Sequence, residues 1–299
     1  MNLFNIIEEI ENVDPEVYGR ISERRDVIKN ITSFGSKVAL AAMPFAVGTI
    51  FKKAYAQSTA TPSVVAILNY ALTLEYLESY FYNQGKAKGT ALIPAAAATN
   101  YFNQVTTDEN NHVTFLKGVI TSLGATPVTA PQFDLTAGGG TGSGPFADVL
   151  TNYQTFLAVA QVFEDTGVRA YKGQAANILA NKAAAEGVKA GLYQTVLTAA
   201  LGIHAVEARH ASAIRSIRGQ TPWITSTATL GNDTGVALVN ANYDGEQNVS
   251  QGGVDVTTLK NATGGNTTSV AVATAAFDEA LSMDQVLTIL SGSFIVKSA

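Results

Sequence analysis

The residues best equipped for chemistry are Glu207 and His210, one helical turn apart in a stretch where Val196, Ala200, Ile203 and Ile214 recur at steps of three or four. That spacing marks one face of a helix, so a carboxylate and an imidazole sit in a stripe meant for burial. An unpaired buried charge costs several kcal/mol or more, so the glutamate needs a partner, and a histidine one turn on suggests a metal ion. The arrangement occurs once more, at Glu109-Asn110-Asn111-His112. The chain has only three histidines, His112, His204 and His210, and two of them stand in this E-x-x-H pattern. His204 lies well round the helix from His210 and reads as a partly buried polar residue.

Four stretches with helical period position these groups. The first opens at Thr61-Pro62, with threonine or serine as cap, and Leu68, Ala71, Leu72, Glu75, Glu78, Ser79 and Tyr82 share a face. The second starts near Pro94, carries Phe102, Val105, Glu109, His112, Phe115 or Leu116, and Val119, and stops at Gly124. A third begins at Pro145, with Val149, Tyr153, Leu157, Ala160, Glu164, Val168 and Tyr171 in register. The fourth runs from about Leu192 to Arg218. Glu75 and Glu164 each interrupt an apolar face as Glu109 and Glu207 do. Glu78, Asp165, Asp108 and Arg209 read as solvated charges or as groups that order the ligands.

The glycine- and threonine-rich link from Gly124 to Pro145 is about 20 residues and could reach roughly 66 Å. A helix of about 30 residues is only about 45 Å long. The second and third helices can therefore run parallel, joined by one long crossover, while breaks near residues 92 and 186 fold each half into a hairpin. Residues 219–276 lose the helical period and read as short strands or irregular loops. Ser282-Met283-Asp284-Gln285 then forms a capping-box pattern before one short helix.

At 299 residues the chain can bury a substantial core. A net charge of −5 with 14% charged residues offers no basic patch for nucleic acid. With no cysteine, thiol nucleophiles, zinc ribbons and rubredoxin-type iron sites are excluded.

Lone Glu, E-x-x-H, crossover, lone Glu, E-x-x-H resembles the ferritin-like di-iron carboxylate superfamily, whose pattern is a general one for such bundles. The resemblance covers roughly residues 60–218. It implies an all-α core, a ferritin-like four-helix bundle with one long crossover, plus an irregular or short-stranded C-terminal extension over residues 219–299. It also implies Glu75, Glu109, His112, Glu164, Glu207 and His210 as ligands of two Fe or two Mn ions, iron favoured, with no haem expected. Tyr82, seven residues after Glu75, is similar to the tyrosine beside the metal site of ferritins, and Tyr171 stands at the same distance from Glu164. Leu74-Glu75-Tyr76-Leu77-Glu78, Asp108 to His112 and Phe277-Asp278-Glu279 look most similar to the secreted, desiccation-related group. The expected activity is Fe(II) oxidation or consumption of peroxide; the alternative is a non-enzymatic stress protein with a structural metal. An oxygenase acting on a small organic molecule would show an apolar cavity beside the metals and open to solvent.

The leader has its own resemblance. Arg24-Arg25, an apolar run from Val38 to Phe51, Lys52-Lys53 and Ala54-Tyr55-Ala56 resemble a twin-arginine export signal cleaved after Ala56. On that reading the mature bundle spans 57–218 and works in the periplasm or outside the cell. If residues 1–56 are an ordinary helix instead, it stays in the cytoplasm. No stable membrane span is expected in the mature chain, and a homo-oligomer is allowed.

Overall fold

A computed structural model describes residues 63–182, 187, 191–225, 236–260 and 269–296. The proposed export signal at 1–56 and the second hairpin break near residue 186 lie outside the described residues.

The core is four helices. α1 (Val64–Ala87) starts on Ser63, whose hydroxyl accepts from the Ala66 amide. A 3₁₀ turn at Gly89–Ala91 reverses the chain. A helical turn at Ala95–Ala97 and a π-helical turn at Ala98–Phe102 then lead into α2 (Asn103–Ser122). α3 (Tyr153–Ala180) and α4 (Leu192–Ile217) form the second pair. α1 packs on α2, α3 packs on α4, and α1 meets α3 across the bundle. Within the bundle Phe81 stacks on Phe156 with centroids 4.5 Å apart and meets Phe163 edge-on.

One helix boundary differs from the sequence expectation. α3 begins at Tyr153, not at Pro145, because Asn152 is the cap: its side-chain oxygen accepts from the Gln154 and Thr155 amides. Asp148 holds that cap by accepting from the Asn152 amide group at 2.9 Å. Val149 is therefore a buried loop residue rather than part of the helical register.

The crossover, residues 123–152, is ordered around Asp134. Its carboxylate accepts from the Thr136 hydroxyl at 2.6 Å and from the Gly140 and Gly142 amides at 2.9 Å each. Gly140 and Gly142 have φ of 104° and 67°, a backbone region that glycine enters without strain. The C-terminal segment zips onto the crossover, with Asp134 N–H donating to the Phe294 carbonyl at 2.8 Å and Val296 N–H to the Gln132 carbonyl at 2.9 Å.

The extension is irregular with a two-stranded ribbon, β1 (Ser250–Gln251) against β2 (Val254–Asp255). Short helices α5 (Ala237–Asn240), α6 (Val270–Ala275) and α7 (Met283–Leu290) complete it. α7 has the expected capping box between Ser282 and Gln285. Among the described residues no helix is long and apolar enough to cross a membrane.

Candidate metal centre

All six side chains expected from the sequence meet at mid-bundle. Glu75, Glu109 and Glu207 with His112 bring ligand atoms within 4.8 Å of one another, and so do Glu109, Glu164 and Glu207 with His210. Glu109 and Glu207 belong to both groups, whereas Glu75 and His112 serve one and Glu164 and His210 the other. The four carboxylates have no exposed surface, which the alternation of apolar and acidic residues along each helix dictates.

Both imidazoles present Nδ1 to the cluster. His112 Nδ1 stands 3.0 Å from Glu109, 3.1 Å from Glu75 and 3.5 Å from Glu207. His210 Nδ1 stands 3.0 Å from Glu109 and 3.2 Å from Glu164. Atoms ligating one ion at about 2.1 Å, and adjacent around it, are separated by about 3 Å. Yet Glu109 Oε1, Glu164 Oε2, both Glu207 oxygens and His210 Nδ1 are buried without a hydrogen bond. Close approach without hydrogen-bond geometry is what donor atoms show when they converge on a common point. Native interiors seldom leave such atoms unserved, so the cluster fits divalent cations. Its oxygen-rich set with one nitrogen per group suits Fe(II) or Mn(II).

The outer contacts orient these donors. Tyr82 on α1 donates to Glu164 on α3, and Tyr171 on α3 donates to Glu75 on α1, so the two tyrosines cross-brace the outer carboxylates. His210 Nε2 lies 3.2 Å from Asp108, and the Tyr101 hydroxyl donates to the His210 carbonyl at 3.2 Å. Gly167 makes room for Glu207: a Cβ there would lie 3.0 Å from Glu207 Oε2.

Electrostatics follow from burying so many acids together. Burial, reinforced by Glu109, raises Glu75 to about 7 against the pull of His112. Burial and then the Glu109 charge push Glu207 well above the carboxylate range. Glu109 is also disfavoured as an anion by burial, but the hydrogen bond to His112 and the close approach of His210 outweigh that and hold it at about 2. Burial lowers both imidazoles, yet Glu109 and Glu75 lift His112 to about 10, and Glu164 and Glu109 lift His210 to about 11.

The residues around the ligands divide between the two expectations. Glu78 and Asp165 are not solvated; both are buried. Asp165 accepts two hydrogen bonds from Arg215, at 2.5 and 2.6 Å, and a third from Tyr243 at 2.7 Å. Burial pushes Glu78 up, helped by Glu109. Asp108 is bonded to His210 rather than free in solvent, whereas Arg209 is exposed, and His204 is half-buried with Nδ1 3.0 Å from the Val168 carbonyl. Tyr101 and the Asp165–Arg215–Tyr243 group were not legible as supports. The only hint was a second acid adjoining each of Glu109 and Glu164.

A bundle of four helices whose middle holds paired carboxylate–histidine turns defines the class of four-helix carboxylate proteins. The sequence profile of the ferritin-like domain family matches residues 63–220, and the chain belongs to that family. No curated protein matches the chain.

Proposed function

We propose that the chain is a di-metal oxidoreductase of the cell envelope that oxidises Fe(II) with dioxygen or consumes peroxide in stress protection. The observation that carries this reading is the set of buried carboxylate oxygens and imidazole nitrogen at the cluster with no hydrogen bond. Glu75 and His112 would hold one iron ion, Glu164 and His210 the other, with Glu109 and Glu207 shared between them. Bound iron supplies electrons singly by passing between +2 and +3.

The chain's own residues set the conditions. Tyr82 and Tyr171 each fix one oxygen of an outer carboxylate, leaving the other toward the cluster. Asp108 keeps the far nitrogen of His210 engaged, so that Nδ1 faces inward. Packing around Phe81, Phe102 and Phe156 excludes water and strengthens every charge interaction inside. Residues 1–56 serve, on this proposal, as a twin-arginine signal, with 57–218 as the mature bundle and 219–299 as its extension. Folding before export would allow metal to be loaded in the cytoplasm.

Anaerobic titration with Fe(II) followed by dioxygen or peroxide tests the reading. Saturable oxidation at two iron ions per chain is expected; binding without oxidation by either oxidant refutes it. Tyr82 and Tyr171, each bonded to an outer carboxylate, count against an oxygenase, which leaves as rival a structural metal in a desiccation-related envelope protein. That rival gains if Glu109→Ala loses metal while stress survival of the host is unchanged.

A further inference from the structure

The four helices enclose a second cavity, distinct from the carboxylate cluster. Ala71 and Leu74 of α1, Leu116 of α2, Ala170 of α3 and Ile203 of α4 bound it. Among its lining residues Tyr70, Tyr171 and Gln174 alone carry a polar side-chain atom, and none is charged. Tyr171 is the residue whose hydroxyl donates to Glu75, so one wall residue of the cavity also holds a carboxylate of the candidate metal centre. The wall also includes Phe115, 42% exposed, and the partly exposed Ala199 and Ala200. The wall between the half-exposed surface residues and Tyr171 is apolar.

Size and lining select the guest. The cavity measures about 20 Å³. That is one or two water-sized bodies, since a single water needs roughly 10–15 Å³, and it is far below the roughly 150 Å³ of a cavity that takes benzene. An aliphatic or aromatic organic molecule therefore does not fit, which separates this cavity from an oxygenase substrate pocket. A metal ion finds no ligand there. Water needs two to four polar partners. The Tyr171 hydroxyl is already engaged, and the polar atoms of Tyr70 and Gln174 present almost no surface to the cavity, so water finds too few partners. A small neutral apolar molecule fits best.

We infer that this cavity is the route by which dioxygen reaches the metal centre, ending at Tyr171. The inference rests on the redox reading above for its use, but the site itself is independent of it. Dioxygen loses little on leaving water for hydrocarbon, while ions and peroxide do not share that route. Their access is the polar edge, where the side chains of Asp108 and His112 are 25% and 13% exposed.

Crystals of the metal-loaded protein under xenon pressure test the site without reference to activity. Xenon density between Ala71, Leu116, Ala170 and Ile203 is expected; ordered water there, or no xenon, overturns the inference. Ala200→Leu, at the partly exposed wall, and Ala71→Val fill the same space. In both, xenon should be lost and Fe(II) oxidation by dioxygen should slow severalfold. Anaerobic Fe(II) binding and oxidation by peroxide should match the parent. Equal slowing with both oxidants, or unchanged rates with dioxygen once xenon is lost, overturns it. A parent protein that oxidises Fe(II) with neither oxidant refutes the redox reading instead. The two failures are distinguishable because one shows in xenon occupancy and the other does not.

Discussion

Replacing Glu207 with leucine should make the metal-free protein more stable and the metal-loaded protein less so. Both oxygens of Glu207 are buried without a hydrogen bond. Each unsatisfied buried polar atom costs about 1–3 kcal/mol, so the pair costs about 2–6 kcal/mol before any metal arrives. Leucine removes that cost and gives up only the 3.5 Å approach to His112. Imperfect packing of the new side chain takes back about 1–3 kcal/mol. The centres of the two ranges leave a net gain of about 2 kcal/mol in chelator, read as a rise in Tm of about 2–4 °C per kcal/mol for a domain of this size. Glu207 is shared by both donor groups, so the variant also loses metal stabilisation, which for the parent is about 2.7 kcal/mol at a free metal concentration 100 times Kd. Thermal unfolding in chelator and in anaerobic Mn(II) reads both arms. If Glu207→Leu is less stable than the parent in chelator, the orphaned oxygens are not a stored cost and the cluster is not built around an ion.

The shared and unshared donors predict different stoichiometries. Glu75→Ala removes a donor from one group only and should lower anaerobic Fe(II) binding from two ions to one, whereas Glu109→Ala, common to both groups, should weaken both. Equal losses in the two variants would refute the assignment. Metal loading should release protons, because His112 and His210, lifted to about 10 and about 11 in the metal-free protein, are charged at pH 7 and must deprotonate to bind. At least two protons per doubly loaded chain should appear in unbuffered titration, and affinity should fall as pH falls. For the metal-free fold the same raised values stabilise fully below the unfolded imidazole value of 6.5 and are lost as pH rises through about 10 to 11. Urea unfolding of the chelated protein at pH 6 and pH 10.5 checks that sign, with greater stability expected at pH 6. Asp165→Asn leaves the Arg215 guanidinium buried without its anion and should cost about 3–5 kcal/mol, measured by urea unfolding, with metal stoichiometry unchanged.

The bundle and its cluster were legible because burial converts a helical period into a test of chemistry. Glu75, Glu109, Glu164 and Glu207 each occupy a position where the periodicity demands an apolar residue, so their types stood out against their places. The capping box at Ser282 was legible for a related reason, being a hydrogen-bond exchange among near neighbours. Pro145 set the expected start of the third helix, whereas the cap is Asn152, held through an interaction with Asp148 that periodicity cannot reveal. Asp165 and Arg169 were unreadable for a deeper reason. A charged residue beside the ligand face of a helix reads as solvated unless its partner is in view. Their partners come from 73 or more residues away, or 50 in the case of Arg215, which no local pattern connects.

That second face of α3 explains why the extension exists at all. α3 carries Glu164 and Tyr171, and its buried residues include most positions from Phe156 to Gln174, on every side. The outer side is covered by the extension. Arg169 donates to the backbone carbonyls of Asn242, Asp244 and Glu279 and pairs with Glu246 at 3.0 Å, so one buried guanidinium ties two separate stretches to the helix. Tyr243 adds its hydroxyl to Asp165, next to Glu164, and Gly173 lets the Leu281 backbone approach more closely than any Cβ would allow. A helix clamped on both sides cannot rotate or slide by the fraction of an ångström that would spoil ligand spacing. The extension would therefore act on the candidate metal centre through α3. Gly173→Ala carries the consequence: the added methyl must displace the Leu281 backbone and loosen the clamp. It should weaken metal binding although it contributes no ligand, and calorimetric titration of the variant with Mn(II) showing parental affinity would separate the extension from the site.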